Sequence, residues 1–203
     1  YAEKHGAVEP KYFNENTVAA FCSEFQTWRS NNLQGRFHYK KSGSPVGATA
    51  LTYEDGKPRK DIAQGRIGTK IAPGTPSAKY LYDAYAYDSP LEQENIKSEI
   101  SDVVVYGKIP RCSVAIPTIT GGMYSPDFMY VVQRASGEKE LNIVVETKDV
   151  ENKAVLREEE SARIRCAEVF FDMLSQDGYT VYFHKQLNNK KMAQIVNEVL
   201  LQG

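Results

Sequence analysis

Apolar residues come in short runs along this chain, broken by polar turns, and the period of each run predicts an element. Residues 128–132 and 141–145 are continuous apolar runs fit for buried strands. Asp127 opens the first run and Glu146 closes the second. A polar turn at 136–139 joins them as a hairpin. Residues 103–106, 112–116 and 179–183 read as further strands. From about 153 to 175 the spacing turns helical, with Val155, Ile164, Val169, Phe170 and Leu174 among the apolar positions. Asp177-Gly178 stops that helix, and a last one spans 189–200. Ser89-Pro90-Leu91-Glu92 starts another helix, to about residue 101. Serine stands at its N-cap, proline at its first position and glutamate at its third, which is a capping box.

Upstream the pattern is less regular. Asn14 can cap a helix to about residue 30, with Phe21, Phe25 and Trp28 on one face as an expected core stripe. Residues 36–41 and 49–53 read as strands, and Asp55-Gly56 as a turn. Residues 64–71 fit a short strand or a loop. The tyrosine-rich stretch 80–87 is expected to pack beneath the elements C-terminal to it. Ala72-Pro73-Gly74-Thr75-Pro76-Ser77 is the clearest break. It divides an N-terminal α+β extension, 1–77, from a core, 78–203. The core order is helix, strands, the hairpin with the acidic pair, helix, strand, then a last helix. That predicts an α/β fold, αβββαβ, with a mixed sheet flanked by helices.

Composition narrows the function classes. The 203 residues suit one domain with an extension. The chain starts at Tyr1 and not Met, which reads as a piece of something longer. No apolar run approaches a membrane span and no signal pattern opens the chain. A formal net charge of -1 means that any basic surface is local. Lys40, Lys41, Lys57, Arg59, Lys60, Arg66 and Lys70 give the first third such a bias, read as a solvated surface before a DNA contact. Cys22, Cys112 and Cys166 are odd in number and far apart, so they read as thiols of a reducing, cytoplasmic setting. Three scattered histidines exclude a His-rich zinc centre.

The candidate chemistry sits at the ends of the central hairpin. Antiparallel partners place Asp127 beside Glu146. Side chains alternate along a strand, so Glu146 and Lys148 share a face and Thr147 points away. Two carboxylates and an ammonium suit a hard divalent cation with a water beside it. Asp127 and Glu146 are the expected ligands, and the Thr147 carbonyl could complete the shell. Lys148 would hold or deprotonate the water, or else only neutralise the carboxylates. The capping box is a complete structural explanation of Glu92. Asp149 points off the site face. Arg157, Glu160 and Arg163 lie at spacings of three on the next helix, where a salt-bridged surface competes with a phosphate contact.

Pro126-Asp127 and then Glu146-Thr147-Lys148 is the pattern of the PD-(D/E)xK nucleases. More than the triad is present. Tyr87-Asp88-Ser89-Pro90-Leu91-Glu92, Gly107-Lys108-Ile109-Pro110, Ile116-Pro117-Thr118, Tyr124-Ser125-Pro126-Asp127 and Val145-Glu146-Thr147-Lys148 occur in order. With these blocks the chain resembles the C-terminal endonuclease domain of the Res subunit of type III restriction enzymes, firmly from about 80 to 171. The resemblance implies a Mg²⁺-dependent endonuclease acting on double-stranded DNA, and, since related nuclease folds place a metal-binding Glu on the first helix, it gives Glu92 a second reading as a metal ligand beside that of helix cap. It implies a helicase portion of the same subunit and a methyltransferase (Mod) subunit that reads the sequence. No G-x-x-x-x-G-K-[S/T] occurs in this chain, so any use of ATP belongs to that helicase portion. A repair-type or exonucleolytic enzyme of the same fold, and a catalytically idle DNA-binding module, are the competing readings.

Overall fold

The computed structural model describes residues 14–33, 36–43, 47–119, 121–133, 140–148, 158–187 and 190–202. Its centre is a four-stranded sheet. The strands are β3 (Val103–Lys108), β6 (Phe128–Gln133), β7 (Glu140–Lys148) and β8 (Val181–Leu187), in the order β3-β6-β7-β8. β6 runs antiparallel to both β3 and β7, while β8 lies parallel to β7. The parallel step needs a crossover, and α4 (Glu158–Gln176) supplies the helix for it.

Alternation along the strands gives the sheet two apolar faces, and each is covered. One face presents Phe128, Tyr130, Val132, Ile143 and Val145. There they meet Ile96 of α3 (Pro90–Lys97) and Met192, Ile195, Val196 and Val199 of α5 (Met192–Gln202). The other face presents Met129, Val144 and Phe183 to Cys166, Ala167 and Phe171 of α4. This is the mixed α/β sheet with helices on both faces that the sequence predicts. Tyr80, Tyr85 and Tyr106 pack against the first core, as expected for the tyrosine-rich stretch.

The smaller elements hold the corners. α2 (Gln64–Ile67) is one turn, and β1 (Lys70–Ala72) pairs with β2 (Tyr85–Tyr87). The break at 72–77 thus lies between two strands that pair with each other. β4 (Ile116–Pro117) and β5 (Met123–Tyr124) form a second short ribbon, turned at Gly121 and Gly122. Both glycines have φ near +90°, which side chains resist.

Several expectations change. α1 (Glu15–Leu33) forms, but its aromatic stripe is not core. Phe21 is 70% exposed, Phe25 47% and Trp28 54%. The three rings stack on one another in sequence, at about 6 Å, and not against the sheet, whose faces α3, α4 and α5 already cover. Residues 37–43 form no strand. Phe37 and Tyr39 instead pack as side chains against the second core, and the Tyr39 hydroxyl donates to the Pro117 carbonyl. Without a neighbour to pair with, the segment has no ladder to join. Residues 49–53 make a single bridge, Thr52 to Pro58, around the expected Asp55-Gly56 turn. Of the strand expected over 112–116 only Ile116 is in one, because Cys112 turns the chain at φ 65°. The first core helix stops at Lys97 and β8 runs on to Leu187. The turn 136–139 and the helix start at 153–157 lie outside the described residues.

A buried side-chain amide pair crosses the first core. The Gln186 amide on β8 donates to the Asn95 side chain of α3 (3.0 Å) and to the Lys190 carbonyl (3.0 Å), and both side chains are buried. Replacing Gln186 by Leu strands the Asn95 amide. Urea unfolding should show a loss of about 1–3 kcal/mol for Gln186→Leu, the cost of a buried group left unpaired. The double variant Asn95→Leu/Gln186→Leu should lose less than the two single changes together.

Candidate active site

The register between β6 and β7 sets the geometry. Phe128 pairs with Val145, and the Asp127 amide donates to the Val145 carbonyl at 3.1 Å. Asp127 therefore stands across from Glu146 at the end of the ladder. Its carboxylate is tied down at one oxygen. Oδ2 accepts from the Thr147 amide (2.8 Å) and from the Thr147 hydroxyl (2.6 Å). Thr147 turns from the Glu146 side chain, as alternation requires, yet its hydroxyl reaches Asp127 at the strand end. On the other side of Asp127 its carbonyl accepts from the Ile109 amide at 2.8 Å. The aspartate is thus held between two strands.

Glu146 is 4% exposed and both its oxygens are engaged. Oε1 pairs with the Lys148 ammonium at 2.8 Å, and Oε2 accepts from the Tyr124 hydroxyl. Lys148 also faces Glu160 of α4 at 3.6 Å. Asp127, Glu146, Thr147 and Lys148 come together at one end of the sheet. Burial raises Glu146, and Asp127 pushes it further, to about 7. Burial also raises Asp127, against the hydrogen bonds from Thr147. Burial pulls Lys148 down, but Glu146, Glu160 and Asp127 outweigh it and leave the ammonium favoured.

Glu92 is a helix cap in this structure. The Ser89 hydroxyl accepts from the Glu92 amide at 3.2 Å, and Glu92 Oε2 accepts from the Ser89 amide at 3.4 Å, so both halves of the capping box are present. The same oxygen accepts from the Asp88 amide (2.6 Å) and from the Lys108 ammonium (2.6 Å). Lys108 binds Asp88 as well, at 3.0 Å. Arg157 and Asp149 lie outside the described residues. Arg163 is exposed on α4.

Three residues of this neighbourhood were not singled out by sequence: Tyr124, Lys108 and Asp88. All three sit inside the quoted blocks. The signal for Lys108 was a lysine ending an apolar strand, where burial demands a partner.

The donor set fits a hard cation. Two carboxylates whose proton affinity burial raises are a place where a divalent ion gains most. Among the described residues, no group of three or more His, Cys, Asp or Glu side chains is placed to hold a metal. The protein offers two carboxylates and backbone oxygen, and water or phosphate would complete the shell. A mixed sheet of this order, flanked by helices, is consistent with a restriction-endonuclease-like fold.

Comparison with known proteins places the chain more narrowly. A family model described as an endonuclease domain matches residues 78–190. The chain is 36% identical over 194 residues to the Res subunit of the type III restriction-modification enzyme EcoPI of Escherichia phage P1, covering 94% of this chain and 20% of that protein. The EcoP15I Res subunit of Escherichia coli gives the same identity and coverage. The StyLTI Res subunit of Salmonella typhimurium is 25% identical over 209 residues, 97% of this chain and 20% of that one. The chain belongs to this family of type III restriction endonuclease domains. It spans about a fifth of the length of these relatives. No solved structure matches it significantly.

The raised Glu146 carboxyl has a consequence for stability. A carboxyl raised by folding binds its proton more tightly in the native state, so that contribution is full below about 4.5, the ordinary value, and is lost as pH rises through about 7. Without metal, the chain should lose on the order of 2 kcal/mol between pH 5 and pH 8 from this site. Urea midpoints at the two pH values measure it. Millimolar divalent cation, which favours the ionised carboxylates, should narrow the difference.

Proposed function

We propose that this chain carries the active site of a Mg²⁺-dependent DNA endonuclease, formed by Asp127, Glu146 and Lys148. The observation that supports it best is the meeting of these three side chains at the paired ends of β6 and β7. Asp127 and Glu146 would hold the ion, with the Thr147 carbonyl as a further oxygen donor. Glu92 is left out of this set, because its Oε2 is engaged by Lys108 and by the Asp88 and Ser89 amides. When bound, Mg²⁺ supplies charge neutralisation at the scissile phosphate and a more acidic water.

The protein's own groups do the positioning. Thr147 fixes Asp127 through two donors on one oxygen, leaving the rest of the carboxylate to face the site. The Tyr124 hydroxyl orients Glu146 from beneath. Lys148 is held as an ammonium by its acidic neighbours, so its role in this reading is electrostatic. It holds the attacking water by donation and stabilises the charge that develops on the phosphate. Lys148 binds Glu146 Oε1 at 2.8 Å, so an ion held by that oxygen would have to share it with the ammonium.

The relatives are named as Res subunits of restriction-modification enzymes. On that ground we take double-stranded DNA as the substrate and a methyltransferase (Mod) subunit as the partner. Any ATP would be used by a helicase portion outside these residues. In this reading residues 78–203 carry the chemistry and residues 1–77 are an extension docked on them. Arg111 touches the Gly65 and Arg66 carbonyls, and Tyr39 reaches Pro117, which supports that docking. Among the described residues no helix is long and apolar enough to cross a membrane, in keeping with the cytoplasmic site of action proposed here.

Asp127→Ala and Lys148→Ala should each lower cleavage of a circular plasmid by at least ~10²-fold, the scale of a lost charge-stabilising group. The assay uses the full-length protein with Mg²⁺, ATP and the methyltransferase. Circular dichroism should show both variants folded. Wild-type nicking by either variant rejects the assignment, and activity confined to linear DNA points to an exonuclease.

A further inference from the structure

The lysine at the end of β3 is the least expected group in the molecule. Lys108 is 3% exposed, in a strand whose other residues are apolar or glycine. Its position is rigid. It pairs with Phe128 in the ladder, one residue after Asp127. The Tyr82 hydroxyl donates to its carbonyl at 2.6 Å. Gly107 before it lies so close to Leu81 that a Cβ there would come within 3.0 Å of the leucine Cβ. An ammonium buried this deeply must be paired, because the desolvation cost of an unpaired charge is several kcal/mol. Its partners are Glu92 Oε2 at 2.6 Å and Asp88 Oδ2 at 3.0 Å.

Both partners are fixed by more than the lysine. Glu92 accepts the Asp88 and Ser89 amides on the oxygen that binds Lys108. Asp88 accepts from the Thr69 amide (3.0 Å) and hydroxyl (2.9 Å), and Arg111 pairs with it at 2.9 Å. Residues opposed in an antiparallel ladder share a face, so Lys108 lies on the Phe128 face of the sheet while Asp127 is one residue out of phase with it. The Glu92 charge still reaches Asp127, where it adds to the pull against ionisation. Asp127 therefore stands between two lysine–glutamate pairs, Lys148 with Glu146 and Lys108 with Glu92.

We propose that Lys108 is a positioning residue that serves as a built-in cation for Glu92, so that Asp127 and Glu146 take a single divalent ion and Glu92 is not among its ligands. This rests on the metal-site reading above. The charge argument decides it. Glu92 stands near enough for its charge to act on Asp127, so an unneutralised Glu92 would be a candidate to draw a further ion. Here an ammonium already neutralises it, on Oε2, the oxygen that also caps the helix. Asp88 adds a second, partly exposed carboxylate to the lysine, so Lys108 cannot turn to Asp127 without leaving the buried Glu92 charge behind.

The test counts ions. Mn²⁺ is titrated into the full chain with a double-stranded oligonucleotide, and bound ion is counted from the loss of the free-ion paramagnetic resonance signal. Wild type should bind one Mn²⁺. Glu92→Gln keeps the cap, since glutamine also reaches the N-cap amide, and should bind one with affinity unchanged within twofold. Lys108→Met leaves Glu92 and Asp88 without their ammonium and should bind two. If Lys108→Met does not fold, Lys108→Met/Glu92→Gln replaces it, and one ion is expected. A more than fivefold weaker site in Glu92→Gln makes Glu92 a ligand and overturns the proposal. So do two ions in wild type, one in a folded Lys108→Met, or two in the double variant. A wild type that binds no Mn²⁺ removes the metal-site reading itself, and the proposal with it. The wild-type count thus separates failure of the site from failure of the lysine's role.

Discussion

The ladder between β6 and β7 keeps Phe128 opposite Val145, and the site depends on that register. A slip of one residue would turn Glu146 and Lys148 to the far face and present Thr147 and Val145 in their place. Two things resist the slip. The hairpin strands are apolar on both faces, and each face has its own helices to meet. The Thr147 amide and hydroxyl also clamp Asp127 at the ladder's end, where backbone pairing has run out. A side-chain carboxylate there extends the ladder by one more step. The residue that holds the chemistry also finishes the sheet.

Charge is arranged around that end with little water to spare. Burial pushes Asp127 and Glu146 toward their neutral forms, and Glu92 is buried as well. The fold answers with two lysines from different strands, one at the end of β3 and one at the end of β7. They are not equivalent. Lys148 is partly open to solvent and shared between two acids, while Lys108 is sealed in. The first lies between two acidic partners, Glu146 and Glu160, and the second is fixed between Glu92 and Asp88.

Much of this was readable in the sequence because the strongest signals were local. The capping box at Ser89 to Glu92 needs only four residues, and the structure contains both of its hydrogen bonds. The hairpin needs two apolar runs with acids at the right ends, and its register is set by them. Longer-range facts were not readable. Nothing near Lys108 in sequence says that its partners lie 16 and 20 residues earlier. Tyr124 stands close to Asp127 in the chain, but its hydroxyl serves Glu146, which lies 22 residues on. The stripe of Phe21, Phe25 and Trp28 misled for a different reason. Spacing identifies a helix face but not whether a surface is left for it, and here both faces of the sheet were already taken.

The contact between Asn95 and Gln186 has a bearing on how the molecule is made. The two residues are 91 positions apart, and each amide is sealed from water by the same layer. While the chain is being synthesised from its N-terminus, α3 and the hairpin emerge well before β8 exists. Until Gln186 arrives, Asn95 has no partner within the core, and β7 has an open edge where β8 will pair. An unpaired edge and an unsatisfied amide both disfavour closing that layer early. The end of the sheet that carries Asp127, Glu146 and Lys148 is therefore completed late, by a strand that contributes none of the three.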